Sequence, residues 1–250
     1  MANYGTLPLI GYNNLLVDGT TSGDGTNPEN AYDWLTYDYW TTGAASGYIE
    51  TTFGGAQTAD YFAFALHDLY TQSASIKLQY WTGAAYADIT ETVVTPANNT
   101  AQFIPFPQKS ATKYKVVVTT GGAAAYIGAV AFGDRLQLSR GCQPGYIPPE
   151  LSYRDEILNN KSQGGQLLGR SILHTGIAGA IQLNDMTDEW AHVHFDPFVS
   201  HARRYAWFLL WSPDARPDDA AVCWTTKPIE PKYSRVGFVS AQVNYEGRTS

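Results

Sequence analysis

Apolar side chains fall at every second position of Ile76-Lys77-Leu78-Gln79-Tyr80, the period of a strand with one buried face. Its neighbours in sequence have the same chemistry: ADYFAFALHDL at 59–69, KYKVVVTT at 113–120 and AAYIGAVAFGDRLQL at 124–138. Each is a short aromatic, β-branched or aliphatic run bounded by polar or glycine-rich links. Tyr126, Gly128, Val130 and Phe132 do not alternate with polar partners, so that strand is predicted to be covered on both faces. Strands at a spacing of roughly ten residues with turn signals between them predict an all-β sandwich.

Earlier and later segments extend the pattern. Residues 1–16 read as an irregular leader with a short strand at 7–12, and 18–30 as a Gly/Asp/Asn loop. An aromatic run follows at 31–40, then strands at 48–53, 87–94 and 101–106, the last containing or ending at a proline. From residue 139 the periodicity fades into prolines, glycines and polar residues, so 139–168 is expected to be a linker packed on the surface. In 186–204 a helix could start at Thr187, but Pro197 breaks the run. The reading favoured here is a strand over 190–195 and a short helix over 197–204 with the proline in its first turn. The most apolar run is 205–211, and strands are predicted at 220–226 and 235–247. The chain is thus expected to be all-β: a sandwich domain over 1–138, the linker at 139–168, and a second mainly-β domain over 169–250.

The order of several motifs carries a family resemblance. Asp18-Gly19 leads into the aromatic run ending at Trp40; His67-Asp68-Leu69 follows a strand; then come the LQYW-TG-Y-DI block at 78–89 and the closing AVAFGDRLQL strand. Over residues 18–138 this resembles the discoidin or coagulation-factor type C domain, a galactose-binding-like jelly roll, especially the versions in phage tail and other virion proteins. The resemblance implies an eight-stranded sandwich that binds glycans, lipids or proteins through loops at one end. Residues 169–247 resemble, in the order of their aromatic runs, the tail-component domains of long-tailed phages that build rings and baseplates. Together these imply a structural protein of a tailed-phage virion, made in the bacterial cytoplasm. Its partners would be other tail or baseplate proteins and further copies of itself, as a trimer or hexamer, with host-surface glycan as ligand. A purely architectural role without ligand is the alternative, and a glycan-processing enzyme the less favoured one.

Composition supports broad uncharged contact surfaces: 14% of residues are aromatic and only 16% charged, against about 25% in an average domain. The net charge of −7 and the lack of a Lys/Arg cluster argue against nucleic acid. No apolar run approaches the about 20 residues of a membrane-spanning helix, and the amino terminus lacks the pattern of a signal peptide. Cys142 and Cys223 read as reduced, half-buried small hydrophobes.

The expected ligand surface is aromatic. Trp34, Tyr37 and Trp40 crowd one segment, Trp81 and Tyr86 another, and His67 stands at a loop rim or in the core. About half of such aromatics must fill a sandwich core; the rest are available to stack on pyranose C–H faces or to anchor a protein interface. Asp18, Asp24, Asn27 and Glu29 form an oxygen-rich loop that could hold a structural calcium, though the composition is also that of an ordinary turn. On a strand, His192 and His194 would share a face and could bind a transition metal with His201 nearby, or be a solvated pair. Asp33 with Asp38, or Asp214, Asp218 and Asp219, could be proposed as the facing acids of glycoside cleavage, but the latter sit in an Asp/Pro/Ala turn that reads as exposed. With no GxSxG and no phosphate-cradling loop, no enzyme and no cofactor beyond that calcium is expected.

Overall fold

The computed structural model describes residues 7–250. Residues 1–6 of the expected leader lie outside the described residues. The first half contains β1 (Leu9–Gly11), α1 (Leu15–Asp18), β2 (Thr20–Gly23), β3 (Trp40–Thr41), β4 (Ser46–His67), β5 (Ser75–Trp81), β6 (Tyr86–Asp88), β7 (Gln102–Thr119), β8 (Tyr126–Gly133) and β9 (Leu136–Gln137). The second half contains β10 (Tyr153–Lys161), β11 (Leu167–Thr187), the helices α2 (Asp188–Trp190) and α3 (Asp196–Ala202), β12 (Trp207–Leu210), β13 (Ala220–Thr225), β14 (Lys232–Arg235) and β15 (Phe238–Arg248). The fold is mainly β, and its strands form two antiparallel sheets, as expected.

The first sheet runs β3-β8-β4-β7-β5-β6, with β2 on the side of β4. Two predicted strands at 48–53 and 59–69 are one continuous β4, and those at 101–106 and 113–120 are one continuous β7. The glycine and proline links that suggested breaks mark register shifts instead, between Thr52 and Gln57 and again between Ala59 and Tyr61. Ile49 and Val116 from one end of these strands share a core cluster with Phe62, Phe64, Val130 and Phe132 from the other. One face of this sheet therefore closes over a single core, as in a sandwich.

The second sheet has the order β10-β11-β15-β13-β12-β1-β9, with β14 also on β15. Its two faces serve different layers. Trp207, Leu209, Ala221, Cys223, Val243 and Tyr245 bury one face under the helical segment. Phe208, Leu210, Ala220 and Val222 bury the other against Tyr61, Ala63 and Ala65 of β4 and Ala129 and Ala131 of β8. Residues 61–66 of β4 and 127–132 of β8 form continuous buried runs because both faces are covered there, as predicted for β8. Gly11 lets β1 lie on Tyr61, since a Cβ there would run into the ring.

Three local features differ from the expected layout of elements. β1 and β9, from the first segment, pair with each other and β1 pairs with β12, so both belong to the second sheet. Tyr153–Lys161, inside the expected linker, is a strand paired along its length with β11. Residues 190–195 are helical: a wide π turn over Ala191–Phe195 joins α2 to α3. Buried Ala191, Phe195, Phe198, Val199 and Ala202 recur with helical spacing. The Thr187 hydroxyl accepts from the Trp190 N–H at 3.4 Å and caps the start. Pro197 would clash with the carbonyl four residues back in a regular helix, and the wider turn before it relieves that.

Candidate functional site

The loop before β3 is the local source of the site. Asp33 accepts the Leu35 N–H at 2.8 Å, an Asx turn that turns the chain sharply at Trp34. Trp34 has φ +66°, a left-handed conformation unusual for so bulky a residue. Its indole stands edge-on to the His201 imidazole, ring centres 5.4 Å apart, and 6.1 Å from the Phe208 ring. His201 also contacts the rings of Tyr12 at 5.5 Å and Tyr205 at 5.3 Å. Its Nε2–H donates to the Ala206 carbonyl at 2.8 Å, which pins the turn that ends α3. Burial holds its pKa below the ordinary imidazole value.

These contacts build a groove of about 300 Å³ between residues 34–37 and 202–206, floored by Trp224 and Thr225. Trp34, Tyr37, Tyr205 and Trp224 bring four aromatic rings to it, with Arg203 and Arg204 between two of them in sequence. Tyr37 is 74% exposed and Tyr205 48%, so both keep ring surface available. Thr36 and Thr225 add hydroxyls. A half-buried ring face next to hydroxyl and guanidinium donors suits a ligand with one apolar and one polar side. A second cleft, of about 660 Å³, lies between residues 142–151 and 211–216, where Tyr146 and Trp211 pack at 5.8 Å.

The six aromatic and histidine candidates separate into three places. Trp34 and Tyr37 line the groove. Trp40 and His67 are corrected: Trp40 is fully buried with its indole N–H on the Asp24 carbonyl at 2.8 Å, and His67 is 3% exposed. Neither offers surface to a ligand, because the sandwich core needs both side chains. Trp81 and Tyr86 lie on the outer face of the first sheet, packed edge to face at 5.1 Å. Lysines cover those rings: Lys113 Nζ lies 5.6 Å above Trp81 and Lys115 Nζ 5.3 Å above Tyr86. Lys115 is also 4.1 Å from the Tyr48 ring centre and 3.7 Å from Glu50. Burial, then the Glu50 carboxylate, raise the Tyr86 phenol. This face is already occupied by its own cations.

The metal candidates are not gathered. Asp24 Oδ1 accepts the Tyr48 N–H at 2.6 Å, tying its carboxylate to β4. Asn27 takes the left-handed conformation before a short helical turn containing Glu29, and Asp18 ends α1. On this helical turn His192 and His194, two residues apart, point to roughly opposite sides and do not share a face. His192 lies between Asp196 at 2.8 Å and Asp188 at 3.4 Å, while His194 stacks against Trp190 at 5.7 Å. Among the described residues no group of three or more His, Cys, Asp or Glu has the geometry to hold a metal ion.

Sequence reasoning missed Tyr205, Trp224, Arg203 and Arg204. For all but Trp224 the signal was present in His201-Ala-Arg-Arg-Tyr205, two cations beside an aromatic just past a helix. It was hidden because residues 34–37 lie 165 residues or more in sequence from the rest of the groove.

No family model and no curated protein matches the chain. Among solved structures it is similar to a chitosan-binding module from the chitosanase/glucanase of Paenibacillus sp. IK-5, with 16% identity, a TM-score of 0.40, 49% of this chain covered and 99% of that one. It is similar to CpGH89CBM32-5 from Clostridium perfringens in complex with GalNAc-β-1,3-galactose, with 14% identity, a TM-score of 0.40, and 48% and 98% covered. A pectin-binding carbohydrate-binding module aligns at 13% identity with a TM-score of 0.37, covering 46% and 89%. Similarity of this degree bears on neither ligand nor partner. Among the described residues no helix is long and apolar enough to cross a membrane.

Proposed function

We propose that the chain is a glycan-binding protein without catalytic turnover, and that its ligand lies along the groove of Trp34, Tyr37, Tyr205 and Trp224. The observation that supports this is the convergence of four aromatic side chains, from three separate segments, on one open groove. A pyranose ring carries axial C–H bonds on one face and hydroxyls around its edge. Aromatic rings cover the first, and Thr36, Thr225 and the arginines reach the second. Trp34→Ala and Trp224→Ala should each weaken retention on immobilised glycan at least tenfold, or ~1.4 kcal/mol. The reading fails if a broad glycan panel retains neither wild type nor variant, and reducing-sugar release from the same panel would overturn the absence of turnover.

The finer reading is attachment to a host surface from the tail tip or baseplate of a tailed phage, where copies in a ring turn weak contacts into avidity. It is supported by the sequence resemblance of the two segments. Mass spectrometry of purified virions tests it, because the chain must be present in them.

A separate feature favours self-association. β10 and the first part of β11 form a two-stranded ribbon with Leu158, Leu167, Leu168, Ile172 and Leu173 at 49–69% exposure, and β10 is the edge strand of its sheet. Isolated two-stranded ribbons are marginal in water, so we read this one as packing on a second copy. Light scattering should give a multiple of 27.4 kDa, and a monomer at all concentrations would exclude it.

A further inference from the structure

We infer that the groove selects saccharides carrying a carboxylate, such as uronate or sialate residues. This rests on the glycan-binding reading above and names the class of glycan. The groove's lining includes Arg203 and Arg204 and no acidic residue, in a chain whose net charge is −7. Acidic side chains are more numerous than basic ones overall, 23 against 16, so their absence from this lining runs against composition.

The two guanidiniums are also uncommitted. Elsewhere Arg135 pairs with Asp60 and Arg235 with Asp185, Arg154 with Glu246, and Arg216 with Glu150. Among the described residues the Arg203 and Arg204 side chains make no hydrogen bond and no ion pair, and both are exposed. Asp33, on the facing loop, turns its Oδ1 to the Leu35 N–H.

The backbone that carries the arginines is fixed before a ligand arrives. The N–H groups of Arg204 and Tyr205 both donate to the His201 carbonyl, at 3.0 and 3.1 Å, while the His201 ring holds the Ala206 carbonyl. Thr225 Oγ1 donates to the Ala202 carbonyl from the floor strand. A planar guanidinium matches a carboxylate with two parallel hydrogen bonds, and a preformed wall reduces the ordering cost of making them. Aromatic rings for the sugar face and a planar donor pair for its carboxylate are the two parts such a ligand requires.

The test uses the whole chain with four probes: polygalacturonate and its fully methyl-esterified form, and sialyllactose and lactose. Affinity electrophoresis or titration calorimetry should show each acidic probe bound at least tenfold more tightly than its neutral counterpart. The Arg203→Ala/Arg204→Ala double variant should lose that preference, its affinity for each acidic probe falling to that for the neutral counterpart. Arg203→Lys/Arg204→Lys should recover only part, because an ammonium lacks the planar donor pair. Binding to acidic probes should weaken between 0.05 and 0.5 M salt, here meaning about a tenfold rise in ionic strength.

If neutral and acidic probes bind alike and the double variant is unchanged, the inference is overturned while glycan binding stands. If no probe of either kind binds, both fall together. If a single-stranded oligonucleotide competes as well as the acidic sugars, the groove reads negative charge in general and the inference is again overturned. Near-ultraviolet circular dichroism on each variant confirms that the fold is unchanged.

Discussion

The indole of Trp34 and the imidazole of His201 meet edge to face at 5.4 Å and 75°, joining a loop of the first sheet's layer to the helix that covers the second. That contact is held although Trp34 sits at φ +66°. A left-handed conformation costs a bulky residue on the order of 1–2 kcal/mol, which the ring contacts must offset.

Replacing Trp34 separates the two effects. Both Trp34→Ala and Trp34→Gly lose the ring, but only glycine accepts the backbone without strain. The glycine variant should therefore be more stable than the alanine variant by ~1 kcal/mol, the reverse of the usual order. Chemical denaturation of the pair measures it. Equal stability, or alanine ahead, would mean that the turn is not strained.

His67 sets a pH dependence. Its Nε2–H donates to the Thr100 carbonyl at 3.1 Å, and its Nδ1 accepts the Leu69 N–H at 3.3 Å, a contact that requires the neutral ring. Burial lowers its pKa from 6.5 to about 4. The unfolded chain then binds the proton more readily than the folded one, and stability rises with pH between about 4 and 6.5. The contribution is fully present above pH 6.5 and is lost on acidification, by on the order of 3 kcal/mol in total. The stability difference between wild type and His67→Gln should shrink from pH 7 to pH 4.5, and a constant difference would refute the assignment.

How much of this was legible beforehand follows from burial. The strand chemistry of 76–80 and the two-sided cover of β8 were readable because alternation, or its absence, reports which faces are buried. Continuity of β4 and β7 was not, since Gly54-Gly55 and Pro105 look the same at a chain break and at a register shift. Trp34 and Tyr37 were legible as candidates, while Trp40 and His67 were overread because an aromatic cluster does not say which members fill a core. The opposite wall of the groove was invisible because no local pattern links residue 34 to residue 224.

His192 should stay protonated above the usual imidazole range. Its hydrogen bond to Asp196 is the main cause, with the charges of Asp188 and Asp196 adding to it. Because the folded value is raised, whatever this imidazolium contributes is present below pH 6.5 and lost as pH rises through the folded value. Asp196→Asn should move the His192 titration, followed by its ring proton resonances, down toward 6.5. A titration unchanged by the substitution would rule out the pairing.

The shared core decides how the chain unfolds. Phe208 is fully buried and packs with Leu210 and Val222 against Tyr61, Ala63 and Ala65 of the other sheet. β1 and β9 carry the same connection in hydrogen bonds, since the chain returns to the second sheet at both ends of the first. Two segments joined only by a linker would melt independently, and a core mutation would shift one transition and leave the other. With the packing seen here, Phe208→Ala should cost about 3–5 kcal/mol. It should lower a single calorimetric transition, with near- and far-ultraviolet signals lost together. Two resolved transitions, of which the substitution moves only one, would instead make residues 1–138 and 169–250 independent folding units joined across a surface.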